Sequence, residues 1–63
     1  MSLGDENVGF YGYFAKSDTN QEILDRGRYV SKADATITFA KRKQLDVESF
    51  NQIYEVIWLV NYL

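Results

Sequence analysis

The chain contains no cysteine and no histidine in its 63 residues. A domain this short buries only about 60% of the surface its unfolded form exposes, and natural domains of such size usually add a disulfide or a bound metal. Both staples are missing here: disulfides are excluded, and so are the usual zinc sites. Only carboxylate-rich cation sites would remain, and neither a metal nor a cofactor is expected. Stability must then come from packing or from self-association. Aromatic residues make up 16% of the chain. Each Phe, Tyr or Trp buries about 150–250 Å², so a core of few residues is feasible.

Residues 1–7 (MSLGDEN) show no apolar period and read as a disordered tail, leaving residues 8–63 as one small domain. From Val8 to Lys16 the aromatic density predicts a strand. A period of two puts Val8, Phe10 and Phe14 on one face and Tyr11 and Tyr13 on the other. Gly12 falls on the Phe face, where a glycine marks a bulge or a close approach by another element. Ser17 to Asn20 is a turn cluster. A second strand is expected over residues 21–30, forming a hairpin with the first. Neither of its two alternations is cleanly apolar, which predicts a bulge near Gly27.

Ser31, with Asp34 three residues on, has the form of a helix N-cap. The helix is expected to run to about Gln44, with Ala33, Ile37 and Ala40 stacked on one side and Phe39 beside them. Lys41, Arg42 and Lys43 would complement the helix dipole in the last turn. The β-branched run over residues 35–39 also fits a strand, but the cap and the basic end favour helix. Asp46 can cap a short helical turn from Val47 to about Ile53. Tyr54 to Tyr62 is dense in strand formers, although Phe50, Ile53, Tyr54, Ile57 and Val60 also satisfy a helical stripe. The expected architecture is α+β, in the order β-β-α-β: a three-stranded antiparallel sheet with one helix packed on one face. The alternative is a β-hairpin followed by two helices.

Charge is unevenly distributed along the chain. Residues 25–44 hold six bases and two acids, residues 1–24 hold four acids and one base, and residues 45–63 hold three acids and no base. The net charge of −2 therefore conceals a basic middle between acidic ends, a pattern that bears on association rather than fold.

Catalysis has little to draw on, because nucleophilic mechanisms need a base that this composition does not offer. Asp46 with Glu48, or Asp18 with Glu22, could pair as acid and base, but a general acid needs burial to raise its pKa. Those carboxylates read better as a cap and as loop acids. Gly9 and Gly12 match no phosphate-binding loop. No catalytic residue and no small-molecule substrate are expected, and the chain reads as no enzyme. Its longest apolar run, Val56 to Val60, is five residues, against about 20 for a membrane-spanning helix. No membrane partner is expected and a cytoplasmic location is the default.

Binding is the better expectation. If a helix covers one sheet face, the other is open, and aromatics pointing there with neighbouring arginines would form a protein-binding surface. The residues expected to carry it are Tyr11, Tyr13, Arg26, Arg28 and Tyr29, and the partner is another protein or a second copy of this chain. A self-assembling structural subunit is a further alternative. Nucleic acid is the less favoured partner, with Lys41, Arg42 and Lys43 as contacts. Tyr11-Gly12-Tyr13-Phe14 resembles the middle of the aromatic strand signature of RNA-recognition domains, which implies base stacking on the rings. Gly9 and Phe10 stand where that signature has a basic residue and a glycine. In size, acidity and lack of cofactor motifs the chain also looks like the regulatory accessory proteins of phages and other mobile elements.

Overall fold

The computed structural model describes residues 8–61, so the expected tail over residues 1–7 and the end of the last strand at Tyr62 lie outside the described residues. The element order is β1 (Gly9–Ala15), β2 (Asp25–Tyr29), α1 (Lys32–Arg42), α2 (Val47–Ile53) and β3 (Tyr54–Asn61). The three strands form one antiparallel sheet in the order β2-β1-β3. Both helices contribute to a core on a single face of that sheet, which gives a compact α+β domain. The expected hairpin, capped helix and third strand are all present. The short turn after Asp46 is a second full helix.

Local chemistry accounts for most element boundaries. The Ser31 hydroxyl accepts a hydrogen bond from Asp34 N–H, so the expected N-cap forms. Asp46 does the same for α2, its carboxylate accepting from Ser49 N–H and from the Ser49 hydroxyl. Helix α1 stops at Arg42, two residues short of expectation, through a Schellman closure. Leu45 N–H donates to the Ala40 carbonyl and Gln44 N–H to that of Lys41, with Gln44 at φ 62°. Leu45, just past the closure, packs against the core.

The buried face of α1 keeps the expected Phe39 and Ala40 and differs at the other two positions. Ala35, Thr36, Phe39 and Ala40 are buried, whereas Ala33 and Ile37 are exposed. Small side chains at Ala35 and Ala40 leave room for the Phe39 ring to reach the sheet. Ile37 points sideways instead.

Strand β2 begins at Asp25 rather than at residue 21. The preceding segment folds back across the sheet, with Gln21 in the left-handed region at φ 54°. Asp18 organises this connection by accepting from Asn20 and Glu22 N–H. The close approach expected at Gly12 is real. A Cβ there would lie 2.8 Å from Ile23 Cγ2, 3.0 Å from the Asp25 carbonyl oxygen and 3.1 Å from Leu59 Cδ1.

The bulge expected near Gly27 lies elsewhere. Pairing of β1 with β2 is continuous, and the register shift falls between β1 and β3, where Phe10 pairs with Val60 and Tyr11 with Trp58, leaving Leu59 as the extra residue. Gly27 needs no bulge because the Tyr29 ring covers it, within 3.0 Å of where a Cβ would sit. The same ring meets Phe39 edge to face at 5.3 Å. Ring cover thus makes good the missing side chain.

Two stability predictions follow from this geometry. Gly12→Ala should destabilise the domain by about 1–3 kcal/mol, since Ile23, Leu59 and the β2 backbone must all give way; equal urea midpoints for variant and parent would contradict it. Gln44→Gly should stabilise by about 0.5–1 kcal/mol by relieving the left-handed backbone of a non-glycine residue, read as a higher midpoint at unchanged m-value.

Candidate protein-binding surfaces

Alternation along β1 sends Tyr11 and Tyr13 toward the helices and Phe10, Gly12 and Phe14 away from them. Tyr11 is 2% and Tyr13 4% exposed, and both belong to the core with Phe39, Phe50 and Val56. The Tyr13 ring lies 4.7 Å from Phe39, 5.2 Å from Phe50 and 5.2 Å from Tyr54. Burial raises the pKa of both tyrosines, an effect that Lys43 partly offsets at Tyr13. They stay neutral core residues at ordinary pH.

The five residues expected to form one binding surface are therefore divided between two faces. Tyr11 and Tyr13 are buried, and Tyr29 is half-buried against Phe39. Arg26 and Arg28 are exposed, and they pair with Gly12 and Phe10 of β1, on the face away from the helices. That face holds a different apolar set: Phe10, 37% exposed, with Ile57 and Leu59 half-buried. Its far end is closed by the 16–24 connection, where Ile23 lies over Gly12 and Phe14 is buried. The Phe10 end, with Arg28 beside Phe10 and Arg26 beside Gly12, meets solvent, while Glu55 stands at the other end, opposite Phe14. Period-two sorting had already put Phe10 and Phe14 together on one face, but it did not join Ile57 and Leu59 to them. What it lacked was a sign for which face the helices take.

Lys41, Arg42 and Lys43 are all exposed but go to different places. Arg42 pairs with Asp25 at 3.0 Å, and the Lys43 ammonium lies 5.4 Å from the centre of the Tyr54 ring. An ion pair as exposed as Arg42–Asp25 contributes at most about 1 kcal/mol. The triplet does not make one flat basic patch, as three successive helical positions spread around the axis.

A second surface runs along β3 on the helix side. An open groove of about 1200 Å³ lies between β3 and the two helices, flanked by Ile37, Val47 and Trp58. All three are exposed apolar residues, Trp58 at 45%. Their neighbours include Lys32 and Tyr54.

Among the described residues no group of three acids, cysteines or histidines could hold a metal ion. None of their helices is long and apolar enough to cross a membrane. No buried side-chain nitrogen or oxygen among them lacks a hydrogen-bond partner. Two of the four acids considered as acid–base candidates have structural work. Asp18 holds the 16–24 connection, and Asp46 caps α2 with its carboxyl below the ordinary range because Ser49 donates to it through hydroxyl and backbone N–H. Comparison with known proteins adds no relative: no family model, no curated protein and no solved structure matches the chain.

Because the Asp46 pKa is lowered by folding, its charge stabilises the native state above the ordinary aspartate pKa, about 4, and that contribution is lost as pH falls through the lower native value. The parent chain should therefore exceed Asp46→Asn in stability near neutral pH, with the difference shrinking in acid. Urea midpoints measured against pH check this, and a difference independent of pH would remove the charge from the account.

Proposed function

We propose that the domain is a non-enzymatic protein-binding module whose contact surface is the sheet face opposite the helices. The observation that carries this reading is the one-sidedness of the fold: both helices cover Tyr11 and Tyr13, while Phe10, Ile57 and Leu59 stand on the other face beside Arg26 and Arg28. Apolar centres rimmed by arginine are the composition of interface hot spots. A fitting partner presents an apolar patch with acidic groups at its edge. Binding would act by occlusion or adaptation of that partner. The regulatory role of a phage or mobile-element accessory protein is consistent with it by size and acidity alone. A catalytic reading fares worse, because Asp46 caps α2 and is held toward ionisation, the opposite of what a general acid needs. The nucleic-acid alternative loses weight from the divergence of Arg42 and Lys43, one toward Asp25 and the other toward Tyr54.

The test is capture from a nuclease-treated lysate of the source organism or its host, comparing the parent chain with Arg26→Glu, Phe10→Ser and Lys41→Ala, each checked for folding by circular dichroism. A stoichiometric protein retained by the parent and by Lys41→Ala but reduced at least tenfold with Arg26→Glu and Phe10→Ser is the expected result. Capture that disappears with nuclease, or that follows Lys41, would transfer the function to the basic segment and nucleic acid.

A further inference from the structure

The two edges of the sheet are guarded differently. Edge strand β2 carries Asp25, Arg26 and Arg28 within five residues, whereas edge strand β3 carries only Glu55 within eight. Charges on an edge discourage pairing with another chain, and their scarcity leaves the edge open to it.

Which backbone groups β3 presents can be derived. Lys16 N–H donates to the Ile53 carbonyl at the base of the β1–β3 ladder. Bonded and unbonded positions alternate in an antiparallel pair, so Glu55 and Ile57 turn their backbone groups toward β1, and Tyr54, Val56 and Trp58 turn theirs outward. Tyr54 N–H fits this phase, because it donates to the Phe50 carbonyl at the end of α2. The outward row is then the Tyr54 carbonyl and both groups of Val56 and Trp58.

We propose that a second copy of this chain adds to the β3 edge in antiparallel register, with Val56 opposite Val56 of the partner subunit, joining the two sheets into one of six strands. This surface is distinct from the sheet face proposed to bind a foreign protein. The row is self-complementary about that point. The two Val56 residues exchange N–H···O=C bonds with each other. Trp58 N–H meets the carbonyl of Tyr54 of the partner subunit, and the reverse, which gives four bonds; the Tyr54 N–H stays with the Phe50 carbonyl, and the Trp58 carbonyl opposite it is left to solvent. On the helix side the Trp58 ring stands opposite the ring of Tyr54 of the partner subunit, a cross-strand aromatic pair. On the other side Glu55 stands opposite Ile57 of the partner subunit, so no like charges are directly opposed. The two-fold axis runs perpendicular to the sheet and keeps both helix layers on the same side. Ile37 and Val47, exposed beside the groove, then flank the junction and shield Trp58. A standard interface takes roughly 800 Å² from each partner, under a fifth of this chain's 4433 Å². An eight-residue strand edge with the groove walls beside it can furnish that area. A chain that can form no disulfide also gains from the extra burial.

The test uses the full chain in sedimentation equilibrium across the micromolar range, with a chemically synthesised chain carrying an N-methyl group on Val56. That group removes the outward donor and leaves the β1 ladder intact. The expected result is a parent dimer and an N-methyl chain that dimerises at least tenfold more weakly with an unchanged circular dichroism spectrum. Register is read from Ile57→Lys and Ile57→Glu, which place a cation or an anion opposite Glu55 of the partner subunit. The first should tighten and the second weaken the dimer, and this pair decides the question even if the N-methyl chain fails to fold. A parent that stays monomeric throughout would overturn the proposal. So would a dimer indifferent to these changes, which must use another surface. A monomer whose Val56 and Trp58 amides resist exchange would also overturn it, because a segment of the same chain then occupies the edge.

Discussion

Everything in this domain is braced on the Tyr13 ring. It stands on the central strand and touches Phe39 of α1, Phe50 of α2 and Tyr54 of β3, so a single side chain joins three elements to the fourth. Tyr29 extends the cluster to β2 through Phe39. Offset and edge-on ring pairs contribute about 0.5–1.5 kcal/mol each beyond the area they bury. In a chain whose total margin is at the small end of about 5–15 kcal/mol, that cluster takes the place of the disulfide that a sequence without cysteine cannot form. Phe39 and Phe50, the largest fully buried side chains, are its helical half.

Concentrating the core on one side of a three-stranded sheet has a consequence for association. Among the described residues the opposite face is covered at its Gly12 and Phe14 end, where Ile23 crosses Gly12, and the two edges are guarded unequally. A larger protein would add a second helical layer or further strands. Here the surfaces left over are a substantial part of the molecule, and they are apolar where they are least charged. Binding is thus a physical expectation of the architecture before any partner is considered.

The charge pattern changes meaning once folded. Along the chain it looks like a basic block between acidic ends. In space Asp25 and Arg42 close a bridge between β2 and the end of α1, Lys43 lies over Tyr54, and Arg26 and Arg28 stand on the far side of the sheet. A block that is contiguous in sequence is dispersed by a strand and a helix whose residues point outward in different directions.

What the sequence determined by itself is local. The caps at Ser31 and Asp46, the Asp18 turn and the aromatic strand from Gly9 to Ala15 are legible because each depends on residues within a few positions of one another. Gly12 was legible as a point of close approach, though not what approaches it. Tertiary structure alone decided which face of β1 is buried, because a period of two sorts residues into two sets and treats the sets as equivalent; Phe10 and Phe14 against Tyr11 and Tyr13 gave no sign. It also decided the state of residues 54–61, which satisfied strand and helix patterns alike until Tyr13 paired with Val56 and Tyr11 with Trp58. The inward face of α1 kept Phe39 and Ala40 but exchanged Ala33 and Ile37 for Ala35 and Thr36 for the same reason. Local rules specify a helix and its period, and only the surface it packs against selects the side that faces in.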